Sequence, residues 1–198
     1  MLSPIAPDAI TLGLIAGGRA SRLGGVDKAW LTRGGVPQVL RWTRRFPSEH
    51  GPMLVSANRD PQRYAAHGLM VVGDRHPDLG PIGGLDALAQ ACTTPWLLTL
   101  PVDLVGVNDC LIRTLVSKRD ADGAFARDDD GVQPLVALWR VDALRIACTE
   151  AISRSETAIH RLQATLRMAE VAFTGFRFGN LNTPDDLRAA GIDPESPA

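Results

Sequence analysis

The sequence predicts a three-layer α/β/α sandwich built on a mostly parallel sheet. Short apolar runs are bounded by Gly, Pro or Asp, and stretches of helical character alternate with them. Glycines and polar residues gather where the apolar runs stop. In sheets of this kind ligands lie beyond the carboxyl ends of the strands, so those ends are where function is sought.

The chain of 198 residues suits one domain with a complete core. That domain is expected over residues 9–192, with flexible termini at 1–8 and 193–198. A hydrophobic fraction of 45% and a charged fraction of 22% are ordinary for a globular protein. A net charge of -1 gives no ground for attraction to nucleic acid or to a membrane. Cys92, Cys110 and Cys148 show no CxxC spacing and would leave one thiol over in any disulfide scheme, which fits a reducing compartment. No basic-then-apolar leader opens the sequence, and no apolar run approaches the ~18 residues that span a bilayer. A cytoplasmic location is expected.

Residues 10–15 read as a short buried strand. Gly34-Gly35 makes a turn, and Pro37 opens a helix to about Phe46. Residues 53–56 form a second strand. Asp60-Pro61 caps a short helix that Gly68 stops, and residues 70–72 form a third strand. Gly80-Pro81-Ile82-Gly83-Gly84 starts a helix to about Cys92. Residues 96–100 are a fourth strand, apolar but for Thr99, and Asn108 caps a helix from Asp109 to about Lys118. Residues 123–127 and 132–140 read as strands joined by a hairpin turn at Asp128-Asp129-Asp130-Gly131. Asp142 caps a helix to about Arg154, Ser155-Glu156 begins another through Leu166, and residues 169–173 form a strand. Thr183-Pro184 opens a last helix that Gly191 closes.

The stretch from Leu14 to Lys28 stands out. The first strand runs directly into two glycine pairs, Gly17-Gly18 and Gly24-Gly25, which bracket Arg19 and Arg22 and precede Lys28. Glycine lets backbone N–H groups approach an anion without a Cβ in the way, and three cations fall within ten residues. A surface turn with solvated charges would explain a lone glycine pair. Strand, glycines and cations together point to a triphosphate. The Walker pattern G-x-x-x-x-G-K-[ST] is absent, and so is G-x-G-x-x-G. The loop is a nucleotide-phosphate loop of neither standard kind.

Ala16-Gly17-Gly18, Arg22, Gly24-Gly25 and Asp27-Lys28 resemble the signature loop of the molybdenum cofactor guanylyltransferase family (molybdopterin-guanine dinucleotide biosynthesis protein A), within the nucleotidyltransferase superfamily. The resemblance extends to Asn180-Leu181-Asn182-Thr183-Pro184 and implies a Rossmann-like fold of the nucleotide-diphospho-sugar transferase type. It implies transfer of GMP from GTP to the terminal phosphate of molybdenum-bound molybdopterin, with release of pyrophosphate. Proteins of molybdenum cofactor biosynthesis, or molybdoenzymes, would be partners.

Site residues follow from both lines of reasoning. Asp103 ends a buried strand in Pro101-Val102-Asp103, where a lone carboxylate commonly serves as a cap. Opposite a triphosphate loop it becomes a ligand for Mg²⁺, which takes one or two carboxylates and completes its shell with phosphate oxygens and water. The family's Pro-x-Asp element agrees. Arg22, Lys28 and Asp103 are the expected catalytic set. Ile15, Ala16, Gly17, Gly18, Lys28, Ser56, Asp74, Gly83 and Asp103 are expected at the nucleotide. The resemblance implies Gln133, Asn180 and Asn182 at the acceptor.

Two positions depart from the family. Ser56 stands where it usually shows Asn, in Ser56-Ala57-Asn58-Arg59, and offers one hydroxyl in place of an amide. Gln133-Pro134 replaces a His-Pro pair, so any role there is by hydrogen bonding. These departures leave two other readings open: a same-fold nucleotidyltransferase using CTP or another phosphorylated acceptor, and a non-catalytic nucleotide-binding partner of cofactor assembly. His50, His67, His76 and His160 have no metal-ligand spacing, and the four tryptophans are expected in the core.

Overall fold

The computed structural model describes residues 3–17 and 27–192. Strand β1 (Ile10–Ile15) follows a single 3-10 turn, Pro7–Ala9. A second such turn, Lys28–Trp30, leads into a two-stranded ribbon of β2 (Thr32–Arg33) and β3 (Val36–Pro37), closed by Gly34-Gly35 with positive φ at both glycines. Helix α1 (Gln38–Thr43), β4 (Met53–Ser56), α2 (Pro61–Ala65), β5 (Val71–Val72) and α3 (Pro81–Ala91) come next. Then follow β6 (Trp96–Pro101), α4 (Leu111–Lys118), β7 (Gly123–Asp128), β8 (Gly131–Arg140) and α5 (Val141–Ser153). The chain closes through α6 (Ile159–Gln163), β9 (Met168–Ala172) and α7 (Pro184–Ala189).

Seven strands form one sheet in the order β5-β4-β1-β6-β8-β7-β9. Only β8 runs against its neighbours; it pairs antiparallel with β6 and β7, while β7 pairs parallel with β9. The expected mostly parallel sheet is therefore present. Alternate residues of the strands point to opposite faces. Leu12, Leu14, Leu98 and Leu100 meet Val39, Trp42, Leu111 and Leu115 of α1 and α4 on one face. Leu97, Ala137 and Trp139 meet Leu85, Leu88, Leu144 and Leu162 of α3, α5 and α6 on the other. Two separate cores on one sheet make the three layers. All four tryptophans are buried.

Several boundaries differ from the sequence reading. Pro37 belongs to the ribbon, and α1 ends at Thr43 because Arg44 closes a tight turn. Asp60 takes a left-handed backbone, φ 45°, and makes no side-chain cap; Asn108 accepts from Cys110 N–H in a turn ahead of α4. Asp142 lies inside the first turn of α5, where a carboxylate still complements the helix dipole. Ser155, φ 55°, ends that helical run, so α6 begins only at Ile159. Thr183 does cap α7, in a reciprocal capping box with Asp186.

Candidate functional site

The strand ends align in a single row. Ile15 is in register with Ser56 on one side and with Pro101 on the other, and Ser56 is in register with Val72. The segments after β1, β4, β5 and β6 therefore emerge side by side. A cleft of about 560 Å³ opens there, lined by Ile15, Gly17, Asp27, Ser56, Asp74 and Gly84, among others. Gly18 and Arg22 lie outside the described residues, as do Arg19, Gly24 and Gly25.

At the start of the loop, the Ile15 carbonyl accepts from Val102 N–H at 3.0 Å and Ala16 N–H donates to the Ser56 carbonyl at 2.9 Å. The Ala16 N–H is thus spent within the sheet, so Ala16, expected at the nucleotide, contributes wall and not an amide donor. Where the chain is next described, Asp27 Oδ1 accepts from Ala29 N–H at 3.0 Å. Burial pushes the Asp27 carboxyl above its usual range, against the pull of that amide and of Arg63 and Arg59. Burial likewise pushes the neighbouring Tyr64 phenol up, with Asp27 adding to it.

On one side of β1 lies a glycine-lined wall. Helix α3 starts at this edge because Gly80, φ 64°, makes the turn and Pro81 fits a first helical position. A Cβ on Gly84 would come 2.6 Å from Ser56 Oγ, and one on Gly83 would come 3.1 Å from Asp74 Oδ2. Gly84 faces the cleft; Gly83 backs Asp74. Ser56 Oγ and Asp74 Oδ1 are both enclosed and have no hydrogen-bond partner among the described residues. Asn58, absent from the expected site residues, holds Asp74 through two hydrogen bonds.

On the other side the chain brings together three residues far apart in sequence. Lys28 Nζ donates to Asp103 Oδ2 at 2.8 Å and to Asn182 Oδ1 at 2.8 Å. The Lys28 and Asp103 side chains are only 17% and 22% exposed, so each would be costly to leave alone. The Asp103 backbone is held at three successive carbonyls. The Trp42 indole takes Val102, Leu181 N–H takes Asp103, and the buried Gln38 amide takes Leu104. Gln38 and Trp42 escaped the sequence reading. Their only signal was a polar residue and an indole on an otherwise core-facing helix.

Asp103 Oδ1 accepts no hydrogen bond among the described residues, and no group of three or more His, Cys, Asp or Glu able to cage an ion occurs among them. One available carboxylate oxygen fits a hard divalent cation held mainly by ligand phosphates and water. It does not suit a metal bound by protein alone.

Asn180 and Asn182 flank Leu181, and Leu104 bridges to Asn180. Asp186 accepts from both Asn182 N–H and Thr183 N–H, and its hydrogen bonds with Thr183 hold its carboxyl below the usual range. Gln133 is tied elsewhere: its amide donates to Asp128 Oδ1 at 3.1 Å. Asp128 Oδ2 in turn accepts from Phe178 N–H at 2.8 Å, two residues before Asn180.

An α/β sheet with a glycine-walled cleft across its strand ends, and a Lys–Asp pair beside it, suits nucleotidyl transfer, and similarity to known proteins shows that class. The family model described as MobA-like NTP transferase domain matches residues 13–170, and the chain belongs to that family. A molybdenum cofactor guanylyltransferase of Cupriavidus taiwanensis is 35% identical over 195 residues, covering 93% of this chain and 98% of the relative. The solved structure of molybdopterin-guanine dinucleotide biosynthesis protein A from Archaeoglobus fulgidus superposes with a TM-score of 0.68 at 20% identity. It covers 91% of this chain and 96% of its own. A 2-C-methyl-D-erythritol 4-phosphate cytidylyltransferase from Thermus thermophilus shares the fold, with a TM-score of 0.68 at 18% identity over 90% of this chain and 96% of its own.

Proposed function

We propose that the chain transfers GMP from GTP to the terminal phosphate of molybdenum-bound molybdopterin, forming the guanine dinucleotide and releasing pyrophosphate. The carrying observation is Lys28 Nζ shared between Asp103 and Asn182 beside the row of strand ends. A 35% identical relative of nearly equal length bears the name of that activity. The whole reaction would take place within one domain, residues 9–192, in the cytoplasm. Other proteins of cofactor assembly, or the recipient molybdoenzymes, would be its partners.

The acceptor phosphate is already an anion, so no strong general base is required. The barrier lies in bringing two anions together and in the charge that develops on the departing pyrophosphate. An acceptor oxygen forms the new bond to the α-phosphorus while the bond to the β-phosphate oxygen breaks. The Gly17 N–H, with Gly18 and Arg22 of the loop, would hold the phosphates. Lys28 would neutralise charge on them, its ammonium already oriented by Asp103 and Asn182. Ile15, Ala16, Ser56, Asp74, Gly83 and Gly84 would shape the nucleoside side. Mg²⁺ on Asp103 would supply charge neutralisation for the triphosphate. Asn180 and Asn182 would face the acceptor. Gln133 would serve it indirectly, through the Asp128 carboxylate that holds Phe178.

Incubation with labelled GTP or CTP, Mg²⁺ and molybdopterin, followed by product analysis, tests this reading. The guanine dinucleotide and pyrophosphate should appear in equal amounts; a cytosine product would favour the unpartnered Ser56 hydroxyl as the mark of a different base. Asp103→Asn should abolish turnover while leaving the fold intact, and unchanged turnover at saturating Mg²⁺ would refute its role. Lys28→Ala should cost ~2–4 kcal/mol in kcat/KM, the scale of a lost oxyanion donor.

A further inference from the structure

Asn58 stands where three of the strand-end segments meet. It follows β4 by two residues, reaches Asp74 two residues beyond β5, and abuts Gly17 two residues beyond β1. Its Nδ2 donates to Asp74 Oδ2 at 2.9 Å, and its Oδ1 accepts from the Asp74 backbone N–H at 2.8 Å. Two bonds of opposite sense fix both where the Asp74 backbone runs and how its carboxylate is turned. The same Nδ2 lies 3.9 Å from where a Cβ on Gly17 would stand.

With Oδ2 held, Asp74 presents Oδ1 inward. That oxygen is enclosed, 3.8 Å from where a Cβ on Gly84 would stand, and has no hydrogen-bond partner among the described residues. The Asp74 side chain as a whole lines the cleft, so its orientation matters to whatever binds there. Among neutral side chains only an amide offers donor and acceptor together at this reach. A carboxylate at position 58 would face another carboxylate, and a hydroxyl could not span both atoms.

We infer that Asn58, which lines the cleft beside Asp74, is a positioning residue that sets the Asp74 carboxylate toward an N–H or O–H donor of the nucleoside, and so carries nucleoside affinity through Asp74. This rests on the cleft being the nucleotide site. The triphosphate grip itself depends on other groups.

Titrations of wild type, Asn58→Ala, Asp74→Ala and the double variant with GTP, and separately with inorganic tripolyphosphate, test the inference. Asn58→Ala should weaken GTP roughly tenfold, the scale of one hydrogen bond to a charged group, and leave tripolyphosphate affinity unchanged. In the Asp74→Ala background the second substitution should add less than about twofold, because both act through one carboxylate. Equal losses for the two ligands, full additivity, or unchanged GTP affinity would each overturn it. If the wild type binds tripolyphosphate but not GTP, the nucleotide reading fails instead. Hydrogen exchange at the Asp74 amide then decides the positioning role: protection lost in Asn58→Ala supports it, and equal rates overturn it.

Discussion

Cys148 and Cys110 place the same thiol in opposite circumstances. Burial, with Asp86 nearby, pushes the Cys148 thiol up to about 12, whereas Cys110 is exposed at the start of α4. Since the thiolate is the reactive form, an alkylating reagent at pH 8 should label Cys110 and spare Cys148 and the buried Cys92. Peptide mapping of the labelled native protein checks this, and rapid labelling at Cys148 would contradict the packing of α5 against α3. At this scale the sequence showed residue types well and pairings poorly. Lys28 and Asp103 were expected together and Asn182 separately, at the acceptor, through a resemblance to a family. Nothing local indicated that one ammonium joins residues 75 and 154 positions away. Asn58 was passed over because its partner lies 16 residues on, and the contact depends on the register of β4 with β5.

Among the elements, the β7–β8 hairpin shows what a composition reading missed. Its Asp-rich segment reads from composition only as a hairpin turn, yet Asp128 is buried at its base. Burial acts first to raise its carboxyl. The N–H of Phe178, the Gln133 amide and the N–H groups of Asp130 and Gly131 outweigh it and hold the group below its ordinary 3.8. A carboxyl lowered on folding contributes stability that is complete above its unfolded value and is lost as pH falls through the folded one. Asp128→Asn should therefore flatten the acid limb of the stability curve below about pH 4. Asp128→Ala should cost about 3 kcal/mol at pH 7, by stranding several buried donors. Denaturant titrations at stepped pH measure both. The long apolar strands and the α7 cap were legible because their signals are local. The β2–β3 ribbon was not, because two residues per strand carry no period; the glycine turn between them was its only trace.

For the molecule as a whole, aligned strand ends mean that a ligand spanning the cleft and the adjacent Lys28–Asp103 pair would touch four separate parts of the chain. GTP at a hundred times its Kd should add about 2.7 kcal/mol of stability. Hydrogen exchange should slow together around residues 15–17, 56–58, 72–74 and 101–103; protection confined to one segment would count against a shared cleft. The single reversed strand has a wider consequence. Because β8 runs opposite to the rest, its beginning, not its end, comes to the functional edge, carrying Gln133 with it. On the proposed reading the nucleotide residues come from β1, β4, β5 and β6, before residue 104, and the acceptor residues from after residue 127, with β8, β7 and β9 lying beyond β6. Evolution could exchange the later half, and with it the molecule that receives the nucleotide, while the earlier half kept its own.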